Sequence, residues 1–481
     1  MMYQDATAMA TAVRHKEVSA KELVEEAIAK IEALNPAINA VVNKQYEEAI
    51  KRSQQAFSKE QPFAGVPILL KDLGQNQAGQ PSTSGSRLFA SYRAQQTDYL
   101  VQRFEALGFI ILGRTNTPEF GVKNISDSSL HGPVHLPMDL SRNAGGSSGG
   151  AAAAVSSGMV PLAGASDGGG SIRIPASFNG LIGLKTSRGR IPVGPGSYRG
   201  WQGASVHFAL TKSVRDTRRL LYYTQTCQME SPFVLPTLSQ ETLFERKWQR
   251  PLKIAYSALS PIGQTVSREA VAAVEGAVSF LSQMGHDLIE LTDYPIDHTD
   301  LIKDYYVMNS VETAAMFDTI EQSLQRPMTP DDMELMTWGI YKSGQTIPAK
   351  QYSQTLNRWD QYTAQFAAFH ENYDLLLTPT TAGVAPKHGQ FTLSDNLQES
   401  LLAMGEFPME QQQDLIWEMF ADSLAWTPFT IPANLTGQPA ISLPTYRNEA
   451  GLPIGIQFLA AKGREELLLQ VADLFEGADM I

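Results

Sequence analysis

Two glycine- and serine-rich segments contain the residues best suited to nucleophilic chemistry, "NAGGSSGGAAAA" (143–154) and "AGASDGGGSIRIPAS" (163–177). A serine hydroxyl on tight, glycine-flanked backbone is typical of enzymes that attack a carbonyl carbon. The nucleophile-elbow pattern GxSxG occurs twice, centred on Ser147 and on Ser166. That elbow requires an apolar strand directly before it, but the polar segment "PMDLSRNA" precedes the first match. The pattern therefore does not identify the nucleophile.

A nucleophilic serine also needs a general base that removes the proton of its hydroxyl. The histidines that follow the clusters are not in a recognisable triad setting; they are His207, His286, His298, His370 and His388. If no histidine serves the nucleophile, lysine is the available base. An ordinary lysine, with a pKa of about 10.4, is almost fully protonated at pH 7, but burial lowers that pKa by several units. Lys71 ends the apolar run "GVPILL" and is therefore the candidate base.

Two other interpretations of the glycine-rich segments are nucleotide binding and flexible linkage. The segment "GPGSYRG" (194–200) differs from GxGxxG by one position, and no GxxxxGK[ST] sequence accompanies either cluster. The apolar segments "AAAAV" and "IRIP" follow the two clusters directly, whereas a flexible linker stays polar. Packed structure around both clusters is the better prediction.

Composition excludes several classes of protein. The chain has 481 residues and a formal net charge of −12, without the long basic run expected of a nucleic-acid-binding patch. Its single cysteine, Cys227, excludes an intramolecular disulfide and any multi-cysteine metal site, and fits the reducing cytoplasm. Polar residues and Pro161 interrupt the most apolar stretch (151–165), so we expect neither a signal peptide nor a membrane span. We expect no metal and no other cofactor.

The elements that must position these residues alternate between helix and strand. Ser19 and Glu22 form a capping box for a helix that we expect Pro36 to end. The segment 65–73 reads as a buried strand that delivers Lys71 and Asp72 at its end. Further units are a helix and strand over 99–116 with a turn near Gly113, a strand–helix–strand unit over 252–291, and strands at 373–380 and 451–460. This order predicts an α/β fold with a large mixed, mostly parallel sheet flanked by helices on both faces.

The segment 298–370 has helical periodicity and little strand signal. Its large side chains include Tyr305, Tyr306, Met308, Met316, Phe317 and Trp338. Two interpretations stay open at this point. These side chains form a helical core, which is the usual fate of such residues, or they line a substrate pocket.

Several of these segments together resemble the amidase signature family. The matching segments are "LLKDL", "GGSSGG" and "SDGGGSIRIPASFNGLIGLK", followed by "GRTNTPEFG", "TKSVRDT", "YDLLLTPTTAGVAP", "FTIPANLTGQPAISLP" and "GLPIGIQF". The resemblance covers nearly the whole chain. It implies one domain over 1–481, with a catalytic core at about 60–220, C-terminal sheet elements in 370–481, and a helical, substrate-lining region at 298–370.

The resemblance also implies a catalytic set. Ser171 is then the nucleophile, Ser147 a bridging serine that follows a cis peptide bond, and Lys71 the base. The oxyanion hole consists of the backbone N–H groups of Gly168, Gly169, Gly170 and Ser171, which could donate to a developing oxyanion. Ser148, Asp167 and Arg173 are expected to support the catalytic loops.

The implied function is hydrolysis of a carboxylic amide to an acid and ammonia or an amine, through an acyl-enzyme. The segment 126–136 and the sequence "GLKTS" depart from the family pattern, and we expect neither departure to touch the catalytic residues. An alternative is the A subunit of a glutamyl-tRNA amidotransferase, and another is a catalytically inactive protein that retains the fold. We expect a small-molecule amide as the partner, no direct contact with nucleic acid or membrane, and either a monomer or a homodimer.

Overall fold

The computed structural model describes residues 5–244 and 250–481. The helices are Ala6–His15 (α1), Ala20–Ile38 (α2), Tyr46–Ser53 (α3), Tyr99–Ala106 (α4), Gly149–Ser156 (α5), Arg173–Asn179 (α6), Val214–Thr224 (α7), Gln240–Phe244 (α8), Arg268–Gln283 (α9), His298–Leu324 (α10), Leu335–Gly344 (α11), Ala349–Asn372 (α12), Asp395–Leu402 (α13), Met409–Trp426 (α14), Ile431–Leu435 (α15) and Glu465–Gly477 (α16). The strands are Val41–Lys44 (β1), Pro67–Lys71 (β2), Ile110–Thr115 (β3), Asp127–Ser128 (β4), Gly132–Pro133 (β5), His135–Leu136 (β6), Asp139–Asn143 (β7), Ala163–Asp167 (β8), Ile182–Lys185 (β9), Val206–Thr211 (β10), Lys253–Tyr256 (β11), Asp287–Glu290 (β12), Leu375–Pro379 (β13), Ala440–Arg447 (β14) and Pro453–Ala460 (β15).

The described residues form one large sheet of 11 strands in the order β1-β3-β2-β8-β10-β9-β14-β15-β13-β11-β12. Helices pack against it, which confirms the predicted α/β class with a mixed sheet. The expectation that the strands would be mostly parallel is wrong, because six of the ten neighbouring pairs are antiparallel. Strands that follow each other through a short connection, such as β14 and β15, pair antiparallel. Parallel pairs such as β2 and β3 are joined by a helix, here α4.

The segments predicted as strands and helices are in place, but two boundaries differ. Helix α2 runs past Pro36 to Ile38, where Asn39 ends it in the left-handed conformation. Proline in the last turn removes only one intrahelical hydrogen bond, which a long packed helix tolerates. Strand β3 likewise continues beyond Gly113 to Thr115. Gly113 (φ 149°) lies where the pairing of β3 with β2 shifts register, so it marks a bulge rather than a turn.

The large apolar residues of 298–370 are mainly core. Tyr305, Tyr306 and Met308 belong to a buried cluster among helices α10, α12 and α14. Phe317 and Trp338 belong to a smaller buried cluster between α10 and α11. Most of the large side chains of this segment therefore form a helical core, as the first of the two interpretations has it.

None of the helices within residues 5–244 and 250–481 combines the length and the apolar character that a membrane crossing requires.

Candidate active site

Lys71 lies at the carboxyl end of β2, in the interior of the large sheet. Its side chain is fully buried, and its Nζ lies 2.6 Å from Ser147 Oγ and 3.0 Å from Ser166 Oγ. Burial lowers the pKa of Lys71 to about 7, although the negative charge of Asp167 partly opposes that effect. Near neutral pH, Lys71 is therefore far more often an uncharged amine, able to accept a proton, than an ordinary lysine is.

The first glycine and serine cluster ends in the short, buried helix α5. The peptide bond between Gly146 and Ser147 is cis, as the family resemblance implies. Ser148 connects this cluster to the second one, since its Oγ donates to Ser166 O (3.2 Å) and its N–H donates to Ser171 O (3.3 Å). Small residues let α5 approach closely: a Cβ on Gly150 would lie 2.4 Å from the backbone nitrogen of Asn116.

The second cluster forms the loop between β8 and α6, and the carboxylate of Asp167 organises it. Asp167 accepts hydrogen bonds from the N–H groups of Gly170 (2.8 Å) and Ile172 (3.2 Å). Its two oxygens also receive the guanidinium of Arg173 at 2.8 and 2.9 Å. Burial raises the pKa of Asp167, but the charges of Arg173 and Lys185 outweigh burial and hold that pKa below its ordinary value. Asp167 therefore stays ionised and keeps the loop that carries Ser171 in a fixed shape.

Arg173 extends this support to the C-terminal part of the chain. Its guanidinium donates to Thr430 O (2.8 Å), Gln457 Oε1 (2.6 Å) and Asn434 Oδ1 (2.7 Å). Arg173 is fully buried, and these contacts together with Asp167 satisfy its donors. The loop is thus braced by residues more than 250 positions away in the sequence.

The glycines of the loop have no room for side chains. An added Cβ would lie 2.7 Å from the Trp201 ring at Gly168, 2.7 Å from the Tyr305 hydroxyl at Gly169, and 2.3 Å from Thr430 Oγ1 at Gly170. The prediction that all three glycines donate to an oxyanion needs one correction. The Gly170 N–H already donates to Asp167, so it is not available to a substrate oxygen.

One cavity joins the predicted catalytic serines. Ser147, Ser166 and Ser171 all line a cavity of about 370 Å³. Its remaining wall is largely apolar and aromatic, with Phe89, Tyr92, Phe120, Trp201 and Met316. Helix α10 contributes Glu312, Thr313 and Met316 to this wall. The structure thus brings Lys71, Ser147 and Ser171 to one place, beside space for a small organic molecule.

Sequence reasoning missed two contacts of the site. Ser166 lies within hydrogen-bonding distance of Lys71, although the sequence offered it only as a second match to an elbow pattern. Ser126 lies in the divergent segment that we expected to be remote from the catalytic residues. Its hydroxyl donates to Ser147 O (3.4 Å) and accepts from the Gly149 N–H (3.2 Å). The only signal in the sequence was Gly149, whose missing side chain leaves room for the Ser126 hydroxyl.

Comparison with known proteins establishes the family. The model of the family described as Amidase matches residues 22–469. The chain belongs to the amidase family. The enzyme is a hydrolase that acts on the carbon–nitrogen bond of carboxylic amides.

Two relatives are similar over nearly the whole chain. A lipoamidase of Enterococcus faecalis is 39% identical over 98% of this chain, which spans 63% of that protein's length. The solved structure of a 6-aminohexanoate cyclic dimer hydrolase in complex with substrate has a TM-score of 0.88 and 36% identity, and the match covers 99% of this chain and 97% of that one. Both relatives are hydrolases by name.

One less similar solved structure corresponds to the amidotransferase alternative. The A subunit of the glutamyl-tRNA(Gln) amidotransferase of Thermotoga maritima shares 23% identity with a TM-score of 0.72, covering 95% of this chain and 91% of that one. A likeness at this identity shows a shared fold alone, and the two relatives described above are more similar to this chain.

Proposed function

We propose that the enzyme cleaves its amide by a serine–serine–lysine mechanism, with Ser171 as nucleophile, Ser147 as proton relay and Lys71 as base. The observation that carries the proposal is the contact of 2.6 Å between the buried Lys71 amine and Ser147 Oγ. An uncharged Lys71 accepts the proton of Ser147, which accepts the proton of Ser171, whose oxygen attacks the amide carbon. The reverse transfers protonate the departing amine.

The second half of the reaction uses the same groups. Once the amine has left, water attacks the acyl-enzyme and Lys71 again accepts a proton through Ser147. The Ser171 hydroxyl is then restored as the acid leaves. Restoring that hydroxyl returns the proton from Lys71 through Ser147, which leaves Lys71 uncharged, and the released carboxylic acid gives up its own proton to solvent.

The developing oxyanion is stabilised by backbone donors of the second cluster. Within residues 5–244 and 250–481 the N–H groups of Gly168, Gly169 and Ser171 have no hydrogen-bond acceptor. Donors held rigidly at such a position typically contribute about 3 kcal/mol each to transition-state stabilisation. We therefore assign the oxyanion hole to these three groups and omit Gly170.

The cavity supports an amide with an apolar body of moderate size. Its volume of about 370 Å³ and its aromatic walls suit an aliphatic or aromatic acyl chain. The names of the two relatives fit this class, since lipoamide and 6-aminohexanoate are both built on aliphatic chains.

The catalytic assignment is tested with a fluorophosphonate, which forms a covalent bond with an activated serine. We expect peptide mapping to find the label on Ser171, and Ser171→Ala to abolish both labelling and turnover. Ser166→Ala is the matched control, because Ser166 lines the same cavity and contacts Lys71 but is not the nucleophile. Labelling confined to Ser147, or full turnover in a Lys71→Ala variant, would overturn the assignment.

We further propose that the enzyme acts without a partner subunit, in the cytoplasm, on a small amide. All the proposed catalytic groups come from this chain, and its single cysteine fits a reducing compartment. The purified chain should hydrolyse simple amides alone, and glutamine hydrolysis that depends strictly on added subunits would contradict this proposal. Size-exclusion chromatography with light scattering decides between a monomer and a homodimer.

A further inference from the structure

Glu312 is the one carboxylate among the described residues that line the catalytic cavity. No lysine, arginine or aspartate of the described chain shares that wall, and His207 is uncharged there because burial and the nearby Lys71 lower its pKa to about 4. A cavity otherwise built from serines, glycines and aromatic rings thus presents a single negative charge to its contents.

The carboxylate of Glu312 is fixed in place on one side only. Its Oε1 accepts hydrogen bonds from Gln202 Nε2 (2.8 Å) and from the Tyr352 hydroxyl (2.5 Å). Within the described residues Oε2 accepts no hydrogen bond, and Glu312 forms no ion pair with a lysine, arginine or histidine. Two neutral donors hold this carboxylate, and the Arg199 guanidinium donates to Gln202 Oε1 (3.3 Å) instead of pairing with Glu312.

The turn that holds Glu312 is strained. Trp201 (φ 50°) and Gln202 (φ 52°) are successive non-glycine residues in the left-handed region. This conformation is unfavourable for ordinary side chains and is concentrated at functional sites. Here it directs the Gln202 amide to Glu312 and places the Trp201 ring against Gly168 of the proposed oxyanion loop. One turn therefore connects the carboxylate to the reaction centre.

We propose that Glu312 is a specificity residue that binds an ammonium group of the substrate, so that the enzyme prefers amides carrying a free amine at a distance from the scissile bond. This inference rests on the proposed catalytic role of Ser171. An ammonium in the cavity would meet a partly buried carboxylate that forms no direct ion pair among the described residues, and the Trp201 ring in the same wall offers a second favourable surface. A carboxylate on the substrate would be repelled.

The test compares matched anilide substrates. One series has an acyl chain that ends in an amine, and its control series has the same chain ending in a methyl group; a second pair places the amine in the departing group instead. In the unmodified enzyme we expect kcat/KM for an amine-bearing substrate to exceed that for its methyl counterpart by about tenfold or more in one of the two pairs. Glu312→Gln, which keeps the shape of the side chain, should reduce this ratio to about one.

A matched control variant lies on the same helix. Glu321 also accepts a tyrosine hydroxyl, that of Tyr341 at 2.8 Å, but it does not line the cavity. Glu321→Gln should leave the substrate ratio unchanged. Glu312→Lys should favour chains that end in a carboxylate.

The possible failures are distinguishable. If the fluorophosphonate labels Ser171 in Glu312→Gln while the substrate ratio stays as in the unmodified enzyme, the ammonium site is wrong and the catalytic assignment stands. A wild-type preference for the methyl-terminated chain in both pairs would also overturn the ammonium site. If Ser171 is not labelled in the unmodified enzyme, the catalytic assignment fails, and this proposal fails with it.

Discussion

Replacing Lys71 with methionine should inactivate the enzyme and stabilise its fold. Lys71 is fully buried, and its pKa of about 7 lies well below the ordinary value of 10.5. In the unfolded chain the same amine has its ordinary pKa. Between these two values the unfolded state binds more protons than the folded state, so folding becomes more favourable as the pH rises.

The magnitude follows from the two pKa values. With 1.36 kcal/mol per pKa unit, the buried amine costs the folded state about 4 kcal/mol at about pH 7, and only about 1 kcal/mol at about pH 9.5. Methionine has a similar length and carries no charge, so it removes this cost. It also leaves the hydroxyls of Ser147 and Ser166 without the amine, a loss of about 1 kcal/mol for each hydrogen bond. The net gain at neutral pH is about 2 kcal/mol.

Urea denaturation of Lys71→Met and of the unmodified enzyme at the two pH values measures this effect. The lost hydrogen bonds and the changed packing affect both measurements alike, so the decisive quantity is how the stability difference changes with pH. We expect the advantage of the variant to fall by about 3 kcal/mol between about pH 7 and about pH 9.5. The exposed Lys21 on α2, replaced by methionine, is the control and should not stabilise the fold. A stability difference that stays constant over this range would refute a buried, uncharged Lys71.

Three further predictions concern activity and the loop. Below about pH 7, kcat/KM should fall about tenfold per pH unit as Lys71 becomes protonated, and a stopped-flow pH profile with no inflection between pH 5 and 9 would contradict its role as base. Gly169→Ala places a methyl group 2.7 Å from the Tyr305 hydroxyl and should lower kcat at least about tenfold. Gly276→Ala is its control in steady-state assays, since a Cβ there meets no atom within 4 Å and kcat should not change. Asp167→Asn leaves its buried guanidinium partner without a counter-charge and should destabilise the fold by about 3–5 kcal/mol in urea denaturation; a loss below 1 kcal/mol would argue against that pairing.

The positions of the elements were predictable because each has a local signal. The capping box of Ser19 and Glu22 forms as expected, and the apolar run before Lys71 is a fully buried strand. The direction of neighbouring strands was not predictable, because pairing depends on contacts between segments that lie far apart in the sequence. The pairing of β9 with β14 joins residues more than 250 positions apart.

The proposed catalytic residues come from the family resemblance together with elimination of histidine as the base. Local chemistry pointed to a buried lysine, but only the family motifs singled out Ser147 and Ser171. The contact of Ser166 with Lys71 depends on the pairing of β8 with β2, and that of Ser126 depends on how a divergent loop packs. Neither arrangement leaves a periodic pattern in the sequence. Glu312 lines the cavity because of the way helix α10 is oriented against the rest of the fold, which the sequence pattern does not show either.

The hydrogen bonds of Arg173 to the C-terminal part of the chain affect when the enzyme becomes active during its synthesis. The segment with Lys71, Ser147 and Ser171 leaves the ribosome long before Thr430, Asn434 and Gln457 have been made. Until those residues arrive, the guanidinium of Arg173 lacks three of its acceptors and the loop that carries Ser171 lacks its support. The newly made chain should therefore remain inactive until its C-terminal strands have docked, which delays hydrolytic activity until the sheet around the site is assembled.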